Sequence, residues 1–108
     1  MIRMVIADDH AIVRGGIRQI MATTDDIEVV AQAASTDEAL ALIRAGNVDM
    51  LLLDISLPGL GGLDLLKLLQ VEAPTLPVLV LSMHNEGQIV QRALKAGAQG
   101  YITKDSEP

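Results

Sequence analysis

Four short apolar runs divide this chain, and each leads into a polar side chain capable of chemistry. Met4-Val5-Ile6-Ala7 runs into Asp8 and Asp9, Met50-Leu51-Leu52-Leu53 into Asp54, Val78-Leu79-Val80-Leu81 into Ser82, and Tyr101-Ile102-Thr103 into Lys104. Nearly continuous runs, rather than alternating ones, mark strands covered on both faces, as in a parallel sheet. Helical spacing separates them. Val13, Ile17, Ile20 and Met21 share one face while Arg14 and Arg18 share the other. Ile27 to Ala34 is a less uniformly apolar strand, which suits a sheet edge. Ser35 with Glu38 forms a capping box that opens a helix through Ala39, Leu40 and Ile43, and Gly46 and Asn47 stop it. Leu63 to Glu72 carries a wide apolar stripe centred on Leu65, Leu66 and Leu69. Pro77 suits the first position of the fourth strand, where no ladder donor is needed. Glu86 to Ala96 reads as the last helix, followed by a short strand over 101–103. Strands in regular alternation with helices predict a parallel α/β sheet, doubly wound with helices on both faces.

The chain has 108 residues, the size of one domain, spanning 1–108. Half the residues are hydrophobic but Phe and Trp are absent, so the core is Leu, Ile, Val, Ala and Met. The absence of cysteine excludes disulfides and thiolate metal sites, and a reducing compartment is the natural reading. A net charge of −6 argues against nucleic-acid binding by this piece itself. No apolar run approaches the ~18 residues a membrane span needs. The N-terminal apolar run is too short, and ends in too acidic a pair, for a signal peptide. A soluble cytoplasmic domain is expected.

In a parallel sheet the C-terminal strand ends share one edge, where open α/β folds place their chemistry. Asp8, Asp9, Asp54, Ser82 and Lys104 are therefore expected as neighbours. Three carboxylates in one pocket repel, and Mg²⁺ or Mn²⁺ would neutralise them through oxygen ligands. Lys104 would add a compact positive charge. An Asp carboxylate held there can act as nucleophile toward a phosphoryl group, with Ser82 donating a hydrogen bond to an equatorial oxygen. Taken singly these residues have simpler readings. Asp8 and Asp9 could cap the first helix, and Lys104 could be a surface lysine. His10 and His84 read as loop residues rather than ligands, two being too few for a dedicated imidazole site.

The segments VIADDH, LLLDISLPGLGGLDLL, PVLVLSMH and ALKAGAQGYITKDS together resemble the receiver domain of bacterial two-component response regulators. The similarity runs from Ile2 to Ser106. It is greatest to regulators that carry a LuxR-type helix-turn-helix output domain. The resemblance implies a flavodoxin-like strand order 2-1-3-4-5 and a phospho-acceptor signalling role. Asp54 would take phosphate from a phosphohistidine on a sensor histidine kinase. Asp9 would bind Mg²⁺ directly, with Asp8 binding directly or through water, and the main-chain carbonyl of Ser56 would complete the site with Asp54. Ser82 and Lys104 would hold the phosphoryl group, and Tyr101, expected to be partly buried, would change rotamer as Ser82 moves. Ser56 and His84 stand where the family tunes its dephosphorylation rate. Nucleic acid would be reached only through an output domain that this chain lacks.

Two departures accompany the resemblance. Asp105 stands where many receivers have a proline in a cis bond, so no cis peptide is expected there. The chain stops at Pro108, before the fifth helix that receivers carry, so a receiver truncated at its C-terminus is expected, with the final helix absent. That helix would lie beside the first one. Without it, apolar side chains of the first, third and fifth strands would lose cover, and self-association through that face is expected. A rival reading is an aspartyl-phosphate phosphohydrolase of the haloacid dehalogenase type. Such enzymes want Asp-x-Asp, and Asp54-Ile55-Ser56 lacks the second carboxylate. A flavodoxin-like cofactor module would want a Ser/Thr/Gly-rich phosphate loop after the first strand, where this chain has Asp8-Asp9.

Overall fold

The fold is described from a computed structural model over residues 1–55, 57, 61–82 and 87–103, with the side chain of Thr103 left out. The strands are β1 (Ile2–Ala7), β2 (Ile27–Ala33), β3 (Met50–Asp54), β4 (Val78–Ser82) and β5 (Gly100–Thr103). The helices between them are α1 (Ala11–Ala22), α2 (Thr36–Ala45), α3 (Gly62–Glu72) and α4 (Gly87–Lys95). All four strand pairings are parallel, in the order β2-β1-β3-β4-β5. That is the order and alternation expected from the sequence. β2 lies at an edge, as its mixed polarity requires. The expected start of the last helix at Glu86 lies outside the described residues.

Register fixes what lies at the functional edge. Ala7 pairs with Leu53, and Asp54 pairs with Leu81. β3 therefore runs one residue past β1, to Asp54, and β4 one residue further again, to Ser82, opposite Thr103. Backbone bonds continue the ladders past the strand ends: the Asp8 amide donates to the Ala33 carbonyl at 2.9 Å, and the Ile55 amide donates to the Leu81 carbonyl at 3.1 Å.

Two apolar layers cover the sheet. On one face Val5, Ala7, Leu51, Leu53, Val78 and Val80 meet Ala39 of α2, Leu65, Leu66 and Leu69 of α3 and Ala93 of α4. On the other face Met4, Ile6, Leu52 and Leu81 pack under Val13, Ile17 and Met21 of α1. None of the α1 side chains is itself buried. Met4, Ile6 and Leu52 are nevertheless almost wholly enclosed, contrary to the expectation that the first and third strands would lose their cover. Exposure on that side falls on β5, where Ile102, in register with Leu81, is 44% exposed.

Helix ends follow local chemistry. The Ser35 hydroxyl accepts from the Glu38 amide at 3.2 Å, and the Glu38 carboxylate reaches back to the Ala34 amide at 2.6 Å. The reciprocal bond thus lands one residue before the N-cap. α2 stops at Gly46 and Asn47, both at positive φ (89° and 65°). A two-bond clip then ties α2 to α3: the Arg44 guanidinium donates to both Glu72 oxygens at 2.8 and 2.7 Å. Those hydrogen bonds hold the Glu72 carboxyl below its usual range and raise Arg44.

Two outcomes follow for stability. Leu65→Ala, in the thicker layer, is expected to cost about 2–5 kcal/mol in urea unfolding, more than Ile17→Ala under α1. The Glu72 contribution is present above the ordinary Glu pKa and is lost as pH falls through the depressed value. Acid titrations of wild type and Arg44→Gln should therefore converge at low pH.

Candidate functional site

Asp8 follows the last residue of β1, and Asp54 is the last residue of β3. Both are wholly buried. The Asp9 side chain is 38% exposed and that of His10 61%. The first helix begins without a side-chain cap, and His10 occupies the N-cap position. The two aspartates therefore do not act as caps. Asp8 Oδ1 instead accepts from the His10 amide at 2.7 Å and lies 3.0 Å from His10 Nδ1. The same ring nitrogen is 3.1 Å from Asp9 Oδ1. Arg14, from the first turn of α1, donates to the Asp8 carbonyl at 2.6 Å and to Gln32 Oε1 at 3.2 Å.

One donor atom from each of Asp8, Asp9, His10 and Asp54 lies within 4.8 Å of all the others. Unit charges ~4 Å apart repel by about 4 kcal/mol at an effective dielectric near 20. That is a large share of the ~5–15 kcal/mol by which a small domain is stable. A donor set dominated by carboxylate oxygens, two of them withdrawn from water, fits a hard divalent cation that keeps several waters. The same spacing places the Asp54 carboxylate beside that charge, where it can meet an incoming electrophile.

Ser82 ends β4, next to β3. Its hydroxyl is 1% exposed and makes no hydrogen bond among the described residues. A buried hydroxyl without a partner is unfavourable unless something occupies it in another state. Gly62 shapes the loop side of the site. A Cβ there would overlap the backbone of Ile55, the residue after Asp54. The first turn of α3 thus lies directly against the exit of β3.

The structure unites Asp8, Asp9 and Asp54, and puts Ser82 on the neighbouring strand end. Ser56, His84, Lys104 and Asp105 lie outside the described residues. Tyr101, in register with Val80, is 53% exposed, more open than expected. Three contributions were not foreseen. His10 belongs to the donor cluster, although it had read as a loop residue. Arg14 had been placed on the outer face of α1, yet it serves the site through the Asp8 carbonyl. Gly62 is singled out by nothing in the sequence beyond its place before Leu63. The signal for Arg14 was its place one turn after His10, which returns a long side chain to the strand end.

The family model for the response regulator receiver domain matches residues 4–108. A transcriptional regulatory protein of Bacillus subtilis, YhcZ, is 42% identical over 106 residues, covering 98% of this chain and 50% of that protein. The chain spans about half the length of the curated relatives it matches. The signal receiver domain of NarL from Mycobacterium tuberculosis is 35% identical with a TM-score of 0.90, over 98% of this chain and 86% of that one. The isolated receiver domain of RcsB from Salmonella enterica serovar Typhimurium, in the presence of the phosphomimetic BeF3-, is 28% identical with a TM-score of 0.91, over 99% of this chain and 80% of that one.

The Gly62 contact generates a direct test. Gly62→Ala forces α3 away from Ile55 and is expected to cost about 1–3 kcal/mol. Amide chemical shifts should move at Asp54 and Ile55, while those of β2 stay in place.

Proposed function

Because the chain belongs to the response regulator receiver domain family, we propose that its phospho-acceptor chemistry runs through Asp54 with Asp8, Asp9, Ser56, Ser82 and Lys104 around it. The observation that carries this assignment is the buried Asp54 carboxylate within one donor cluster with Asp8 and Asp9. Receiver domains are phospho-acceptor signalling domains, and this chain is one. It is a switch rather than a turnover enzyme.

An Asp54 oxygen attacks the phosphorus of a phosphohistidine on a sensor kinase. The O–P bond forms as the P–N bond breaks, and the released imidazole takes a proton from solvent. The product is an acyl phosphate on Asp54. Bound Mg²⁺ or Mn²⁺ supplies charge neutralisation for the transferred oxygens. Asp8, Asp9, Asp54 and the Ser56 carbonyl would hold that ion. Lys104 balances charge from the β5 side. The Ser82 hydroxyl, without a hydrogen bond among the described residues, gains one by donating to a phosphoryl oxygen. Its movement, with a rotamer change of Tyr101, two residues before its partner on β5, would bias two conformations.

Control of DNA would pass through an output domain outside this chain. RcsB, which this chain resembles, has been seen as dimers bound to DNA. Self-association of this chain is assigned to the α1 side of the sheet, where Ile102 stays open. Light scattering showing a strict monomer at every concentration would remove that assignment. No helix is long and apolar enough to cross a membrane among the described residues, which accords with work in the cytoplasm. The phosphohydrolase reading is not favoured, since position 56 is Ser where that chemistry needs a second carboxylate.

Incubation with Mg²⁺ and acetyl phosphate should give one phosphoryl adduct by intact mass, absent from Asp54→Asn. Ser82→Ala should slow its formation by about tenfold to a hundredfold, the lower range for loss of one donor to a developing oxyanion. Rapid multiple-turnover phosphate release from organic phosphates would instead support the hydrolase.

A further inference from the structure

The chain has eight lysines and arginines against fourteen acidic residues, yet three of the cations line one groove. The groove runs between α3 and α4. One part, about 340 Å³, is lined by Leu63, Lys67, Arg92, Lys95 and Ala96. The adjoining part, about 380 Å³, shares Leu63, Lys67 and Arg92 and continues to Ile89 and the backbone around Gly61 and Ile55. The two are therefore one trough, open along its length, ending near the exit of β3. Among the described residues, Asp64 is the single carboxylate along it.

Two of the cations outside the groove are engaged by side-chain bonds. Arg14 is bonded to the Asp8 carbonyl and Arg44 to Glu72. Lys67, Arg92 and Lys95 make no ion pair among the described residues. Arg92 and Lys95 are one turn apart on α4, and Ile89 precedes them by another turn, so the three share a face. Lys67 stands opposite, on α3. Gly97, at φ 118°, lies just after α4 against the side chain of Gln70 on α3, leaving no room there for a Cβ. The trough thus pairs an apolar floor, Leu63, Ala96 and Ile89, with a cationic rim on an otherwise acidic molecule.

We propose that the α3–α4 groove is a docking site for an acidic, amphipathic peptide segment of a partner protein. Carboxylates one helical turn apart would face Lys67, Arg92 and Lys95, and an apolar side chain between them would rest on Leu63 and Ala96. Charge complementarity selects this occupant. A second copy of the chain brings net negative charge but no apolar acidic helix of this pattern among the described helices. A nucleic-acid backbone would meet an overall charge of −6 and would leave the apolar floor uncovered. The groove reaches Ile55 and Gly62 beside the donor cluster at Asp54, but Lys67, Arg92 and Lys95 are not among its donors, so peptide binding is read separately from phosphoryl transfer.

The test uses the whole chain, isotope-labelled, and a short helical peptide with Glu and Leu at i, i+4 spacing. Its twin carries Gln for every Glu. Saturable amide shifts are expected at Lys67, Arg92, Lys95 and Ala96 with the Glu peptide, and the affinity should fall as salt rises. The twin, and the K67E/R92E/K95E variant, should each bind at least about tenfold more weakly. The milder K67Q/R92Q/K95Q variant serves if the reversed one does not fold, and acetyl phosphate labelling of Asp54 reports that the site persists. The proposal is overturned by equal binding of the twin, by undiminished binding to the charge variants, by shifts confined to another face, or by no saturation at roughly 1 mM peptide. Inorganic polyphosphate binding as tightly as the Glu peptide would also overturn it in favour of a simple polyanion site.

Discussion

The register of β1 against β3 governs this molecule. Ala7 pairs with Leu53, so the next residue of each strand is a carboxylate with no access to water. A slip of one residue would turn the apolar sets to the wrong faces and would separate Asp8 from Asp54. The apolar layers therefore do more than stabilise the domain. They hold two like charges together against a repulsion comparable to a sizeable part of the folding free energy.

The surroundings of that edge are arranged accordingly. Arg14 steadies the Asp8 backbone without neutralising its carboxylate, since it donates to the carbonyl oxygen. His10 reaches both Asp8 and Asp9, which brings a titratable ring into the same cluster. Gly62 allows α3 to begin against Ile55, so the loop side of Asp54 is set by main chain rather than by a mobile side chain. Ser82 completes the pattern from the next strand. Buried carboxylates and a buried hydroxyl come to one edge because parallel strands deliver their ends together.

Much of this was legible in the sequence because strand continuity and helical spacing are local signals. The four helices, the five strands and the convergence of Asp8, Asp9 and Asp54 follow from runs such as Met50-Leu51-Leu52-Leu53 and stripes such as Leu65, Leu66 and Leu69. What the sequence concealed depends on distance in space. Arg14 reads as an outer-face residue until its side chain is seen returning to the Asp8 carbonyl. His10 gives no pattern of its own, because a single imidazole acquires meaning only from the carboxylates beside it. The enclosure of Met4, Ile6 and Leu52 was misjudged for a similar reason, since the reach of the α1 side chains over the sheet is a packing property and not a spacing in the chain. Tyr101, expected to be partly buried, is 53% exposed on β5, at the edge of the sheet.

The measurement that bears most directly on this account is urea unfolding with and without Mg²⁺, for wild type, Asp8→Asn and Asp54→Asn. If the buried carboxylates of Asp8 and Asp54 repel more than their neighbours compensate, each substitution relieves repulsion and raises stability without Mg²⁺. Wild type should gain about 1.4 kcal/mol at ten times the dissociation constant of the ion, and the variants should gain much less. A wild type indifferent to Mg²⁺, or variants stabilised by it to the same degree, would contradict the account.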